Sequence, residues 1–147
     1  MSILLEIMAD SIESALSAQK GGADRIELCE NLVEGGTTPS PGLIQMTVDL
    51  LDIEVNVMIR PRGGDFHYSD LEFQVMKNNI QFCKTAGVSG VVLGLLNVDG
   101  TIDEDRTAEL VELARPMSVT FHRAFDMTIK PFAALEALID IGVDRIL

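Results

Sequence analysis

The hydrophobic and polar positions of this chain follow two periods that alternate from one end to the other. Short runs rich in β-branched residues predict strands, and longer segments with an apolar residue every three or four positions predict helices. Regular alternation of this kind indicates parallel strands joined by right-handed crossovers. The predicted strands are Ile3–Met8, Arg25–Cys29, Val55–Arg60, Gly90–Leu95, Ser118–Arg123 and the fragment Arg145–Leu147. The predicted helices include Ser11–Lys20, Asp103–Ala114 and roughly Ile129–Ile141.

Several helix starts carry capping signals. Asp10 with Glu13 three residues later has the spacing of a capping box, and Ser69 with Glu72 repeats this spacing before a long helix. The pair Ser40–Pro41 is typical of an N-cap serine followed by a proline in the first helical position. These signals place helix starts directly after the loops that follow the predicted strands.

A short sequence motif recurs along the chain. Gly22–Leu28 returns as Gly142–Leu147 and, more weakly, as Gly87–Leu93. Each copy is typical of a helix C-terminal glycine followed directly by a strand. Successive copies lie two strand–helix units apart, a period that suits a (βα)8 barrel better than a doubly wound sheet. A doubly wound sheet should also carry a Gly-x-Gly-x-x-Gly turn after its first strand, and the turn at Ala9–Ser11 contains no glycine.

We therefore predict an α/β fold of the TIM (βα)8-barrel type, truncated after about five and a half βα units, with residues 1–147 as a single domain and no nucleotide cofactor. The chain stops inside its sixth predicted strand. The unpaired edge of a sheet tends to pair with another strand. We therefore expect either a fragment of a longer chain or a second copy that covers this edge. We favour the fragment, and self-association stays open.

The composition narrows the class of partner. A formal net charge of −12 argues against binding to nucleic acid or to anionic membranes. No apolar run is long enough to span a membrane, and the N-terminus lacks the features of a signal peptide. Cys29 and Cys83 stand far apart, which suggests reduced thiols and a cytoplasmic location.

Alternation along the strands predicts two different faces. One face is apolar and should pack under the helices: Leu5, Ile7, Ile26, Leu28, Val55, Val57, Ile59, Val91, Leu93, Val119 and Phe121. The other face should line the barrel and is unusually polar: Glu6, Met8, Arg25, Glu27, Cys29, Asn56, Met58, Arg60, Val92, Gly94, Thr120, His122 and Arg145. Buried charges survive when they are paired, so Glu6 and Glu27 should meet Arg25, Arg60 or Arg145. Such a network could simply fill the barrel, or its upper members could bound a pocket.

Residues 55–68 contain the largest group of candidate functional residues. A strand runs there into a loop with two arginines, a glycine pair, an aspartate and a histidine. Strand ends of this kind carry the chemistry of α/β proteins, and arginine suits carboxylate or phosphate. The candidate anion-binding residues are Arg60, Arg62, Arg123 and Asp65, and the candidate acid–base residues are Glu27 and His122. Asp65 could orient its arginine or serve only as a turn residue.

A soft-metal site is the alternative interpretation. Cys29 and Met8 lie at the ends of adjacent predicted strands on the same face, and thiolate and thioether ligands favour Cu(I). His67 and His122 also lie at or just past strand ends. Cysteine is nonetheless common in ordinary cores, and Cys83 falls in the apolar stripe of a helix.

The chain resembles the CutC family, described as copper homeostasis proteins, along its whole length. The resemblance rests on Leu5–Glu6 with Asp10–Ser11, Gly21–Cys29, Glu34–Ser40, Met58–Phe66 with Tyr68–Asp70, and Val119–Met127. It implies a TIM barrel longer than this chain, with cytosolic copper handling by cysteines at the ends of the first two strands. Cys29 matches the second of these positions, and Met8 stands at the first.

Two functions follow as expectations. The first is cytoplasmic copper homeostasis with Cu(I) bound by Cys29, Met8 and a histidine such as His67. The second is an enzyme that acts on a small anionic metabolite, with arginines anchoring the substrate and Glu27 or His122 transferring protons. The sequence leaves open whether the chain is an enzyme.

Overall fold

The computed structural model describes residues 3–147 as strands and helices that alternate along the chain. The strands are β1 (Glu6–Ala9), β2 (Arg25–Leu28), β3 (Glu54–Met58), β4 (Gly90–Leu93), β5 (Ser118–Phe121) and β6 (Arg145–Ile146). The helices are α1 (Ile12–Lys20), α2 (Pro41–Leu50), α3 (Asp70–Ala86), α4 (Glu104–Ala114) and α5 (Pro131–Ile141), and short 3-10 helices span Leu32–Glu34 and Arg123–Met127. Each predicted strand and helix is present. Strands β2 to β6 end one or two residues earlier than predicted because their last residues belong to loops, whereas β1 begins three residues later and ends at Ala9.

The six strands form one parallel sheet in the order β1-β2-β3-β4-β5-β6. Each strand pairs with the strand that follows it in sequence, so the sheet is singly wound and curls into a half-barrel with the helices between the strands. This arrangement confirms the predicted TIM-type α/β fold. Within residues 3–147, no helix is both long and apolar enough to cross a lipid bilayer.

The helix starts confirm one predicted capping box and correct another. The Ser69 hydroxyl accepts a hydrogen bond from the Glu72 amide at 3.2 Å, and the Glu72 carboxylate accepts one from the Ser69 amide at 2.7 Å. The box predicted at Asp10 is wrong. Ser11 caps α1 instead, because its hydroxyl accepts from the Ser14 amide at 3.1 Å and the Ser14 hydroxyl accepts from the Ser11 amide at 3.1 Å.

The hydrophobic core lies between the sheet and the helices. The apolar strand face that was predicted to pack there is buried in β2 to β5, where Ile26, Val57 and Phe121 have no exposed surface. The edge strand is the exception. Leu5 and Ile7 are 46% and 37% exposed. The expectation that they are buried is wrong, because β1 pairs on one side only within the described part of the chain.

The inner face of the sheet carries a polar layer near the N-terminal ends of the strands. Arg25 is buried and forms an ion pair with Glu6, which also accepts a hydrogen bond from the Asn56 side chain at 3.4 Å. Arg145 donates to the hydroxyl of Thr120 at 3.1 Å. The predicted pairing of Glu6 with Arg25 is therefore confirmed, and this layer fills the lower part of the half-barrel.

Gly90 at the start of β4 makes room for this polar layer. A Cβ atom there would lie 2.4 Å from both the Asn56 Oδ1 and the Ser118 Oγ atoms, and 3.0 Å from the Ser118 carbonyl oxygen. The last of these belongs to the backbone, which cannot move aside without disturbing the β4–β5 ladder. A glycine is thus required by close approach at this position.

We predict that Gly90→Ala lowers the free energy of unfolding by about 1–3 kcal/mol, the usual cost of overpacking. The matched control is Gly42→Ala in α2, where an added Cβ meets no atom of the described chain within 4 Å. That variant should gain about 0.5 kcal/mol, since alanine is the better helix former. Urea denaturation followed by circular dichroism measures both, and equal effects of the two variants would contradict the assignment.

Candidate functional site

A cavity of about 210 Å³ opens at the C-terminal ends of the strands. Parallel barrels place their chemistry at this end, where the loops that follow the strands converge. The residues that line the cavity are Met8, Glu27, Glu34, Gly35, Met58, Arg60, Phe66, His122, Arg123 and Leu147. The fold therefore brings four of the predicted polar residues together, namely Glu27, Arg60, His122 and Arg123.

Arg60 follows β3 and is held by backbone rather than by carboxylates. Its guanidinium donates to the carbonyl oxygens of Glu34 at 2.6 Å, Gly36 at 2.9 Å and Gly64 at 2.9 Å. The side chain is buried, and its guanidinium carbon lies 5.1 Å from the centre of the Phe66 ring. No carboxylate between residues 3 and 147 lies within ion-pair distance of it. The cavity wall thus carries a fixed positive charge without a carboxylate counter-ion.

The glycines after the first 3-10 helix explain how two of these carbonyls face inward. Gly35 and Gly36 have φ angles of 82° and 91°, a left-handed conformation that glycine adopts without strain. The turn directs the Glu34 and Gly36 carbonyls at the guanidinium. Gly36 also lies close to Cys29, since an added Cβ would stand 3.4 Å from the Sγ atom.

His122 follows β5 and is held in one tautomer. Its Nδ1 accepts a hydrogen bond from the Ala124 amide at 3.1 Å, so in the neutral ring the hydrogen is on Nε2. Burial, together with the charge of Arg60, lowers the pKa of His122 to about 4. The Nε2 atom finds no hydrogen-bond partner among residues 3–147. His122 is therefore a neutral imidazole with an N–H donor to spare.

Gly94 leaves the space that the His122 ring occupies. A Cβ at this position would lie 2.5 Å from Cε1 and 2.6 Å from Nδ1 of the imidazole. On the other side, the ring centre is 5.0 Å from that of Phe66. The sequence placed Gly94 on the inner face but did not predict that it makes room for His122. The available signal was a glycine two residues after Val92, at a position where the inner face would otherwise carry a side chain.

Glu27 is the third residue of β2 and lies beside Met8 of β1 in the sheet register. Burial, followed by repulsion from Glu6, raises the pKa of its carboxyl to about 7. Its carboxyl makes no ion pair or hydrogen bond with any other part of residues 3–147. The expectation that Glu27 would meet an arginine is wrong, because Arg25 turns to Glu6 and Arg60 turns to backbone carbonyls.

Arg62, Asp65 and His67 meet one another but lie outside this cavity. Arg62 donates to the Asp65 carboxylate at 3.1 Å and to the His67 carbonyl at 2.9 Å, and it also pairs with Glu72. Asp65 accepts from the His67 amide at 3.0 Å, and this bond, with that from Arg62, lowers the pKa of its carboxyl. The His67 Nδ1 lies 3.3 Å from the Leu96 carbonyl oxygen, against a different cavity. These residues brace the loop after β3.

Arg123 stands at the rim of the cavity, where its side chain is 83% exposed and pairs with Asp126 at 2.8 Å. An exposed pair of this kind is screened by water and contributes little fixed charge to the cavity. Arg60 is therefore the arginine that dominates the electrostatics of this site.

The sulfur atoms proposed from the sequence, those of Cys29 and Met8, lie at the same end of the half-barrel as this cavity. Cys29 follows β2, is fully buried, and packs against Met58 and Val92. Its thiol lies 3.8 Å from the Ala9 carbonyl oxygen, and burial, with the charges of Glu27 and Asp10, raises its pKa to about 11. The sequence did not predict Met58 as a neighbour of the Cys29 sulfur. The sheet register explains the contact: Leu28 pairs with Val57, and Cys29 and Met58 are the next residues of the two chain segments. No cluster of three His, Cys, Asp or Glu side chains suited to a metal ion occurs within the described residues.

A singly wound parallel sheet with a cavity at its strand C-termini defines a TIM-barrel-type α/β protein. The chain belongs to the CutC family, whose profile matches residues 3–147. It is 55% identical over 98% of its length to the mouse copper homeostasis protein cutC homolog, of which it covers 53%. It is also 53% identical, over 100% of its length and 60% of the relative, to a CutC family protein of Chromobacterium violaceum. The chain spans about half the length of the first of these relatives.

Solved structures agree on the fold. A CutC protein from Streptococcus agalactiae superposes with a TM-score of 0.93 at 36% identity, covering 99% of this chain and 71% of that one. A phosphoenolpyruvate phosphomutase from Streptomyces platensis superposes with a TM-score of 0.70 over 99% of this chain and 59% of its own, at 12% identity. The second likeness shows the barrel fold alone. The predicted family resemblance is confirmed.

The raised pKa of Glu27 predicts a stability effect with a defined sign. Between pH 4.5, its ordinary pKa, and about 7, the folded protein binds a proton that the unfolded chain has lost. The contribution of Glu27 to the free energy of unfolding therefore falls as pH rises through this window, by up to about 3 kcal/mol. Glu27→Gln should remove this fall and be the more stable protein at pH 8 (~3 kcal/mol).

Urea denaturation at several pH values measures this difference, with Glu136→Gln on the exposed face of α5 as the control for a lost carboxylate. Comparing variants is necessary because His122 acts in the opposite direction. Its pKa falls from 6.5 to about 4 on folding, so its contribution is lost as pH falls through that range. Parallel stability curves for Glu27→Gln and the unsubstituted protein would contradict the raised pKa.

We further predict that His122 holds its hydrogen on Nε2 and titrates with a midpoint of about 4. Long-range ¹H–¹⁵N spectra of the imidazole distinguish the two nitrogens, and a pH series gives the midpoint. The physical reason is that a proton on Nδ1 would displace the Ala124 amide from its acceptor. A midpoint near 6.5, the ordinary histidine value, would show that the ring is hydrated instead.

Proposed function

We propose that this protein acts in copper homeostasis by binding Cu(I) as cargo between Cys29, Met58 and Met8. The observation that carries the proposal is the contact between the buried Cys29 and Met58, since Met58 lines the cavity together with Met8. Thiolate and thioether sulfur are the ligands that Cu(I) prefers. The mouse and human relatives are named copper homeostasis protein cutC homologs, which supports the same reading.

The proposed ligand set differs from the one expected from the sequence. Met58 takes the place of His67, because His67 faces the Leu96 carbonyl and a different cavity. Met8 is 53% exposed, so its thioether is free to reorient toward an incoming ion. A cytoplasmic setting is part of the proposal, since both cysteines are free thiols and Cu(I) is the form stable among reduced thiols.

The state of the Cys29 thiol sets the pH dependence of binding. The thiol must lose its proton to bind, and its pKa of about 11 means that copper competes with that proton throughout the ordinary range. Each unit of pH below that value should weaken the apparent affinity about tenfold. Binding should therefore release one proton to solution.

The test is an anaerobic Cu(I) titration against a competing chelator. Cys29→Ser should abolish one-to-one binding, whereas Cys83→Ser, which removes the buried thiol of α3, should leave it intact. Met8→Cys should raise the affinity, since it adds a second thiolate to the proposed ligand set. Equal affinities for the unsubstituted protein and Cys29→Ser, in samples with matching circular dichroism, would rule out this site.

A further inference from the structure

The buried guanidinium of Arg60 has donors to spare. An arginine side chain offers five N–H donors, and three backbone carbonyls use three of them here. The remaining donors are Nε–H and one hydrogen of Nη2. Nε is buried and has no hydrogen-bond partner among residues 3–147. Buried donors are nearly always satisfied, so the candidates are the Tyr68 hydroxyl, which is also buried without a partner, and a group from outside the chain.

A second spare donor belongs to the same cavity wall. The Nε2–H of His122 is buried without a partner in the described chain, and its ring packs 5.0 Å from Phe66. The Arg60 guanidinium carbon lies 5.1 Å from the same phenyl ring. A charged donor and a neutral donor thus lie beside the same aromatic ring of the cavity, and both kinds of donor suit an anionic oxygen.

The rest of the wall restricts the ligand. Met8, Met58 and Phe66 contribute apolar surface, and the volume of about 210 Å³ admits only a small molecule. Arg60 supplies one positive charge, whereas the cavity wall also carries Glu27 and Glu34. One positive charge fits a monoanion, and the nearby carboxyl groups disfavour a dianion such as a phosphate ester.

We propose that this cavity binds a small monocarboxylate. Its carboxylate accepts hydrogen bonds from Arg60 and from the Nε2–H of His122, and its short alkyl part lies against Met8, Met58 and Phe66. The donors to the carboxylate are nitrogens of Arg60 and His122, whereas Cu(I) takes sulfur, and the two sites share Met8 and Met58.

Butyrate is a suitable probe, with butyramide as its uncharged isostere and inorganic phosphate as the competing oxyanion. Titrations followed in ¹H–¹⁵N spectra report the Arg60 Nε–H signal directly. We expect saturable binding of butyrate, with butyramide and phosphate each at least about tenfold weaker, since a charged hydrogen bond is lost or a second charge is added. Phosphate binding more tightly than butyrate, equal binding of butyramide, or no saturable binding of butyrate would overturn the proposal.

Variants locate the site. Arg60→Lys keeps the charge but removes Nε–H and should weaken butyrate about tenfold. The control is Arg115→Lys, because Arg115 also donates to a backbone carbonyl, that of Gly142, yet precedes β5 at the opposite end of the strands. Butyrate affinity should be unchanged in this control. If both lysine variants weaken butyrate equally, binding is not at this cavity.

A second variant covers the case in which Arg60→Lys does not fold. His122→Asn keeps an acceptor for the Ala124 amide and removes Nε2–H, and it should also weaken butyrate about tenfold. Unchanged affinity in this variant would overturn the proposal. Cys29→Ser separates the two functions: it should leave butyrate binding intact whether or not the protein binds Cu(I).

Discussion

The guanidinium of Arg60 is the group on which the upper half of this structure depends. It joins the loop after β2, through Glu34 and Gly36, to the loop after β3, through Gly64. The backbones of the two loops are also tied together, since the Thr38 amide donates to the Arg60 carbonyl oxygen at 2.9 Å. A buried charge without a carboxylate is stable only where several dipoles solvate it, and here three carbonyls do so. The loops are therefore arranged around the cation.

The protonation states of His122 and Glu27 follow from the fact that Arg60 binds backbone carbonyls and no carboxylate. Because Arg60 is solvated by carbonyls, its field is not cancelled and contributes to the low pKa of His122. For the same reason Glu27 lacks a cation beside it and is left with burial and the repulsion of Glu6, which raise its pKa. A carboxyl that readily keeps a proton and an imidazole that readily loses one thus share one cavity wall. Opposite shifts of this kind are typical of functional sites.

The sequence was a good guide to the fold because hydrophobic periodicity and glycine placement act locally. The recurring glycine before a strand, as at Gly87 and Gly142, is a left-handed helix cap in the structure, and the alternating faces of β2 to β5 are as predicted. It was a poor guide to pairing inside the half-barrel. Strand parity shows that Glu27 and Arg60 face inward, but only the conformation of the glycine turn reveals that carbonyls reach Arg60 first.

The same limit applies to other residues of this region. Arg62 and Asp65 match an anion site by residue type, and in the structure each contacts the other in the loop after β3. Strand parity placed Met58 on the inner face, but the sequence carries no sign that Met58 contacts Cys29 or that Phe66 lines the same cavity. Leu5 and Ile7 matched a buried strand, and their exposure reflects which strands are paired with β1 rather than anything local to them.

Gly36 contacts both the Cys29 thiol and the Arg60 guanidinium, and so couples one to the other. Its Cα carries no side chain between the backbone and the Cys29 sulfur, and its carbonyl oxygen holds the guanidinium of Arg60 at 2.9 Å. Any motion that lifts Gly36 away from the sulfur also lengthens that hydrogen bond. Exposure of the thiol is therefore coupled to the loss of one of the three hydrogen bonds that hold Arg60. By linkage, whatever stabilises the guanidinium against the Gly36 carbonyl also favours the closed state in which the thiol is buried.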